Sequence, residues 1–107
     1  MLFRSANNLT GSSGNDTLDG GAGADTLAGG LGADLFSFHI AQAGGDSIAD
    51  FVPASDKLRF VGYSQGSTFL QVGTSNAWQL TDAMTHATEN ITFANSAHPG
   101  ALDYAFV

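Results

Sequence analysis

A nine-residue period over residues 11–37 limits the folds open to this chain more than any other feature. Its rows are Gly11-Ser-Ser-Gly-Asn-Asp-Thr-Leu-Asp19, Gly20-Gly-Ala-Gly-Ala-Asp-Thr-Leu-Ala28 and Gly29-Gly-Leu-Gly-Ala-Asp-Leu-Phe-Ser37. Gly11, Gly20 and Gly29 share a column, and so do Gly14, Gly23 and Gly32. Asp16, Asp25 and Asp34 form an acidic column, and Leu18, Leu27 and Phe36 an apolar one. A weaker row, 2–10, precedes these and puts Asn7 in the acidic column and Leu9 in the apolar one. Each row reads as a glycine-rich turn followed by a short strand, because glycine permits positive φ and Thr-Leu and Leu-Phe pairs suit a pleated surface. One apolar side chain per row makes no core alone, but stacked rows bury a continuous ladder. The expected fold is therefore all-β: a parallel β-roll, a nonapeptide-repeat solenoid with two rows per coil. Rows one and three stack on one side, and rows zero and two on the other.

That stacking creates an electrostatic conflict. Asp16 comes to lie over Asp34, and Asp25 over Asn7, at a strand spacing of ~4.8 Å, where like charges repel. No lysine or arginine occurs between residues 5 and 56 to neutralise them. A bound cation removes the conflict. Carboxylates and turn carbonyls make an all-oxygen shell, which suits a hard ion of high coordination number. Ca²⁺ fits this better than Zn²⁺, or than Mg²⁺ with its tight octahedral demand. Without the ion, low apolar content and uncompensated acid predict disorder over the repeat, so binding and folding should be coupled.

The rows resemble the calcium-binding nonapeptide repeats of RTX proteins, whose pattern is G-G-x-G-x-D-x-U-x. Gly45-Asp-Ser-Ile-Ala-Asp-Phe51, followed by Asp56-Lys-Leu-Arg-Phe60, resembles the block that closes the β-roll in serralysin-like C-terminal domains. In that family an ion lies between turns two rows apart, held by turn carbonyls and the Asp of each row. The resemblance implies one complete site from Ser12, Gly14 and Asp16 with Gly29, Leu31 and Asp34. Gly20, Ala22 and Asp25 would face Phe3, Ser5 and Asn7, a weaker site with an amide in place of a carboxylate. Gly21, Gly23 and Asp25 would look to Asp46, because Ala43 stands where the next row's Asp belongs. Gly30, Gly32 and Asp34 would look to Asp50. Two or three Ca²⁺ ions are implied.

Beyond the repeat, Leu58–Val61, Thr68–Val72, Ala77–Leu80, Asn90–Phe93 and Leu102–Val107 read as strands, the second and third as a hairpin around 73–76. Segment 81–89 reads equally as a short helix or a loop. The expected organisation is a β-roll over 1–60 and a β-sandwich-like cap over 61–107, in one continuous unit; solenoid ends need covering.

Composition narrows the function. Ten acidic against three basic residues, for a net charge of −7, disfavour nucleic acid and anionic membranes as partners. No apolar run is long enough to span a membrane as a helix. The absence of cysteine excludes disulfides and thiolate metal sites. The first residues lack a secretory signal pattern. The terminus Asp103-Tyr-Ala-Phe-Val107 is similar to the uncleaved C-terminal signal of serralysin-type cargo of type I secretion. Together these readings imply a calcium-binding module that folds outside the cell, is exported through the type I apparatus, and forms the tail of a larger enzyme or adhesin.

Two other classes compete. One is a polysaccharide-binding module, similar in repeat type to the R-modules of alginate epimerases. Only Arg4, Lys57 and Arg59 could meet an anionic sugar, whereas Trp78, Tyr63 and Tyr104 could stack on neutral ones. The other is a small serine esterase, because Gly62-Tyr-Ser-Gln-Gly66 fits the nucleophile elbow G-x-S-x-G. The residues after Ser64 are of β type and show no helical period, and the chain is short for a hydrolase sheet, so no catalytic residue is assigned. His39, His86 and His98 lack the spacing of a zinc protease and read as scattered histidines.

Overall fold

The computed structural model describes residues 8–19, 21, 23–39, 45–86, 88–100 and 103–106. All of its regular structure is strand: β1 (Asn8–Thr10), β2 (Thr17–Leu18), β3 (Thr26–Ala28), β4 (Leu35–His39), β5 (Asp46–Ile48), β6 (Lys57–Val61), β7 (Thr68–Gln71), β8 (Ala77–Thr81), β9 (Thr88–Phe93) and β10 (Tyr104–Phe106). They form a six-stranded sheet, β1-β3-β5-β9-β8-β7, and a four-stranded sheet, β10-β6-β4-β2. Successive strands of the first half alternate between the sheets, so the chain coils as the repeat predicts.

The apolar column of the sequence becomes two ladders facing each other. In the larger sheet Leu9 pairs with Leu27, Leu27 with Ile48, and Ile48 with Phe93. In the smaller, Leu18 pairs with Phe36, Phe36 with Leu58, and Leu58 with Tyr104. Both sheets are parallel along these columns, which lets one side-chain type repeat at one height. From Leu27 and Phe36 onward the ladder residues up to Phe93 and Leu58 are almost wholly buried.

The C-terminal half extends the roll rather than forming a separate layer. Strand β9 pairs in parallel with β5, and β10 in parallel with β6. Only the β7–β8 hairpin and its junction with β9 are antiparallel. Here the core turns aromatic. Phe60 contacts Phe38, Tyr63, Phe69, Tyr104 and Phe106, with ring centroids 4.9 to 6.1 Å apart.

The ambiguous segment 81–89 resolves into a turn followed by β9. The buried carboxylate of Asp82 organises that turn by accepting from the amides of Ser64 (2.7 Å) and Thr85 (2.9 Å) and the hydroxyl of Thr85 (2.9 Å). An acid that collects donors in this way competes with helical pairing. These amide donors hold the Asp82 carboxyl well below the usual carboxylate range, against the opposing cost of burial. The terminal strand is anchored similarly. Asp103 accepts from Gly100 N–H (2.7 Å), Ala54 N–H (3.0 Å) and Lys57 Nζ (3.3 Å). Burial opposes its charge, but these donors more than offset it and lower its pKa. Residues 102 and 107 of the expected last strand lie outside the described residues.

Phe60 stands at the centre of the aromatic cluster and is fully buried. Phe60→Ala should cost about 3–5 kcal/mol of stability through lost transfer and cavity formation. Urea denaturation in millimolar calcium, against wild type, measures it.

Candidate metal centre in the stacked turns

The acidic columns of the sequence become two stacks of carboxylates. In the smaller sheet Thr17 aligns with Leu35 and Leu35 with Lys57, so the preceding residues Asp16, Asp34 and Asp56 stand in line. In the larger sheet Thr26 aligns with Ser47, which sets Asp25 beside Asp46. Asp34, Asp56 and Asp46 each reach back to the coil before them. The Asp16 amide donates to Oδ1 of Asp34 (2.9 Å), the Asp34 amide to Oδ1 of Asp56 (2.9 Å), and the Asp25 amide to Oδ1 of Asp46 (2.8 Å). The adjoining strand bonds keep the register: Leu35 N–H to Asp16 O, Lys57 N–H to Asp34 O, and Ser47 N–H to Asp25 O, all 2.8 Å.

The turns above these acids stack just as closely. Gly30 and Gly32 adopt left-handed φ of 83° and 99°. A Cβ on Gly30 would sit 2.6 Å from the carbonyl oxygen of Ser12, and one on Gly32 would sit 2.5 Å from that of Gly14. The third row's turn thus lies directly against the carbonyls of the first, and only glycine permits both the backbone conformation and the approach. Asn15 bridges the same turns by accepting from Ala33 N–H at 2.8 Å. At the start of the first and third rows a carboxylate folds over the first glycine. Asp16 covers Gly11 and Asp34 covers Gly29, with no room for a Cβ at either.

Charge at these positions is poorly compensated by protein groups. Asp34 is buried, and its Oδ2 has no hydrogen-bond partner. Burial chiefly pushes its carboxyl pKa up, and Asp56, Asp16 and Asp50 add repulsion. Burial pushes Asp46 up to about 7, with Asp25, Glu89 and Asp19 adding to it. An orphaned, buried carboxylate oxygen beside like charges is chemistry that a hard divalent cation satisfies. The residues present therefore fit calcium. Among the described residues, no three carboxylate or imidazole side chains converge on one point. A metal shell here must draw on backbone carbonyls as well as on pairs of acids.

The structure also places the other expected positions. Gly21 and Gly23 both take positive φ, matching Gly30 and Gly32 one row on. Asp46 occupies the place in register with Asp25 that the broken fourth row leaves open. Asp50 does not stand in the Asp34 column; it accepts from the amides of Gly29 (2.8 Å) and Gly30 (2.9 Å) and so ties down the turn. The residue in line is Asp56, which the nine-residue count passed over because it lies 22 positions after Asp34. Its signal was available. Asp56-Lys-Leu-Arg-Phe60 repeats the spacing of Asp34-Leu-Phe-Ser-Phe38, with the insertion confined to the turn. The half-site expected at Phe3, Ser5, Asn7, Gly20 and Ala22 lies outside the described residues, as does Arg4.

The structure bears on the two competing readings. Tyr63, Trp78 and Tyr104 do not form an open sugar platform. Tyr63 is buried and donates to Glu89 Oε1 (2.6 Å), Trp78 stacks on Phe69 (5.1 Å between centroids), and Tyr104 packs against Phe60 and Phe69. The aromatic core takes in Tyr63 and holds Trp78 and Tyr104 half-buried against it. Ser64 does not sit on a strand–turn–helix elbow, because β7 comes after it. Its amide and hydroxyl both bond Asp82, the latter at 3.3 Å. His39 pairs with Asp19 (2.9 Å), His98 lies against Trp78, and His86 is exposed in the turn after Asp82.

Comparisons with known proteins agree with this geometry. Residues 4–36 match the RTX calcium-binding nonapeptide repeat, in four copies. No curated protein matches the chain by sequence. Among solved structures it is similar to the solution structure of the AlgE6R3 subunit of a mannuronan C5-epimerase from Azotobacter vinelandii. The two share 28% identity and a TM-score of 0.66 over 94% of this chain and 67% of that one.

The raised pKa values set the expected pH dependence. An unfolded Asp46 loses its proton near 3.8, whereas the folded one holds it to about 7. Without metal, this group therefore destabilises the fold progressively as pH rises through that interval and not below it. Calcium competes with the proton, so its apparent affinity should rise over the same interval. Chelator-stripped protein should lose β circular dichroism from pH 4 to 7, while calcium-saturated protein should keep or gain it.

Proposed function

We propose that this chain, whose repeat is an RTX-type calcium-binding β-roll, is a non-catalytic module that folds when calcium enters its stacked turns. The observation that carries this is the buried, unpartnered Oδ2 of Asp34 within a column of acids. In this reading the carbonyls of Ser12, Gly14, Gly29 and Leu31, with the carboxylates of Asp16 and Asp34, hold one ion. Gly30 and Gly32 with Asp34 face Asp56, which takes the place in line first given to Asp50. Gly21 and Gly23 with Asp25 face Asp46. Two or three ions result. A bound ion would supply the positive charge that the chain lacks between the columns, and these carbonyl and carboxylate oxygens would coordinate it.

The functional consequence comes from mass action. A ligand bound only by the folded state stabilises it by RT ln(1 + [L]/Kd). At low calcium the repeat stays unfolded and fit for passage through a channel; at millimolar extracellular calcium it coils. The segment 103–107 would be read as a type I export signal before that happens, because in the folded state β10 packs its rings on Phe60. Such a module would serve an enzyme or adhesin in the same polypeptide, with 1–60 as roll and 61–107 as cap.

Calcium titration tests this. Circular dichroism should show β structure lost in chelator and restored by millimolar calcium, and calorimetry should return two or three ions per chain. Asp34→Ala should weaken binding ~10-fold or more, the range seen when metal-site partners are removed. Gly29→Ala should do likewise by displacing the Asp34 carboxylate, whereas Gly14→Ala, whose Cβ meets nothing within 4 Å, should bind near wild type. A spectrum indifferent to calcium overturns the reading.

A second reading has one observation in its favour. A shallow cavity of about 200 Å³ opens on the smaller sheet, lined by Leu35, Lys57, Leu58, Arg59, Asp103 and Tyr104. It gathers two of the three basic residues of the chain. Lys57 bonds Asp103, and Arg59 bonds Ser37 Oγ at 3.3 Å, yet each keeps further N–H donors for a carboxylate or sugar hydroxyl. The similar subunit belongs to an enzyme named for mannuronan, a polymer of acidic sugar. An acidic oligosaccharide should shift the NMR signals of Lys57, Arg59 and Tyr104 in calcium-loaded protein, weakly given the net charge of −7. Arg59→Ala should abolish the shift, and no response from wild type rejects this reading.

A further inference from the structure

Strand β7 ends the six-stranded sheet, and among the described residues no strand pairs with its outer edge. Val72 N–H donates to Ala77 O at 2.9 Å, so 68, 70 and 72 are the residues that bond toward β8. In an antiparallel ladder the alternate residues, Phe69 and Gln71, then turn their N–H and C=O groups outward. Phe69 puts its side chain in the core, while Leu70 and Val72 are 62% and 44% exposed on the opposite face.

Proteins usually protect such an edge with a lysine, a proline, a bulge or an inward charge. Here there is none. No charged residue and no proline occurs from Phe60 to Thr81, in a chain whose net charge is −7. The next acid along the chain, Asp82, is buried and occupied by Ser64 and Thr85. The hairpin is thus a place where two copies of this acidic chain can meet without bringing carboxylates together.

We propose that β7 pairs antiparallel with β7 of a second copy, in a two-fold dimer whose axis passes beside Leu70. The outward groups set the register. Phe69 of one copy exchanges both backbone bonds with Gln71 of the other, which sets Leu70 opposite Leu70 and Thr68 opposite Val72. Leu70 and Val72 of both copies then form one stripe on the outer face, with Leu70 against its own image in a close, non-hydrogen-bonded pair. The two six-stranded sheets join edge to edge, an isologous contact that closes on itself. The hairpin lies outside the nonapeptide rows, so this inference does not depend on how many ions the turns hold.

Sedimentation of the calcium-loaded protein should show a monomer–dimer equilibrium that shifts with concentration. Leu70→Lys, which sets like charges face to face, should weaken the dimer roughly 10-fold or more while leaving the far-ultraviolet spectrum unchanged. Because the chain has no cysteine, Leu70→Cys gives one thiol per chain, set against its own image. Under mild oxidant it should form covalent dimers much faster than Val72→Cys, which faces Thr68, or Met84→Cys, which is 79% exposed. This second variant reads the register even if Leu70→Lys folds poorly. A wild type that stays monomeric at every concentration overturns the proposal, and so does equal cross-linking of the three cysteine variants. A monomer whose Leu70 signal moves only on adding an oligosaccharide assigns the edge to a glycan and equally overturns it.

Discussion

Repulsion between carboxylates held one coil apart governs the first half of this molecule. The coil forces Asp16, Asp34 and Asp56 into one line and Asp25 and Asp46 into another, because each is placed by the strand register that also stacks the apolar ladder. Asp34, Asp46 and Asp56 cannot turn away without leaving the amides of the neighbouring coil unbonded. The same geometry that builds the core therefore concentrates negative charge beside it. Coulomb repulsion between unit charges at such spacing, in a partly buried setting, amounts to a few kcal/mol per pair at an effective dielectric near 20. That is comparable to the whole margin by which a small domain is stable.

Asp82 and Asp103 show what the same side chain does when the fold supplies its partners. Both are buried, and both have lowered pKa values, because amide groups and, for Asp103, the Lys57 ammonium surround them. Asp34 and Asp46 are buried too, but their pKa values rise, because burial disfavours the charge and neighbouring carboxylates add repulsion, which one amide bond to each does not offset. The two halves of the chain thus divide the means of stabilisation. The N-terminal half has one apolar residue per row and gathers buried carboxylates with few protein partners. The C-terminal half has its aromatic cluster around Phe60 and its own carboxylate anchors. Because β9 and β10 continue the two sheets of the roll, that second half gives the last coils a formed surface on which to pack.

Periodicity made the coil legible. A column of glycines, a column of acids and a column of large apolar residues specify turn, ligand and core at fixed offsets, and each offset reappears in the strand register. Legibility stopped where the period did. Asp56 escaped a count of nine because extra turn residues moved it along the chain without moving it in space. Asp50, adjacent in the sequence logic, went instead to the amides of Gly29 and Gly30. Tyr63, read as a ring open to sugars, is instead buried for a related reason: an aromatic residue near a strand faces core or solvent according to pairing partners that are distant in the chain.

What the amino-acid sequence determined by itself was the coil, its acid columns and the demand for a hard cation. These depend on contacts between residues a fixed step apart, so local order propagates into global register. What only the tertiary structure decided was which acids share a line across a broken row, which rings the core takes in, and that β7 ends its sheet among the described strands. Those outcomes depend on how far an irregular loop carries the chain before it rejoins a sheet, a distance that no residue pattern along the loop encodes.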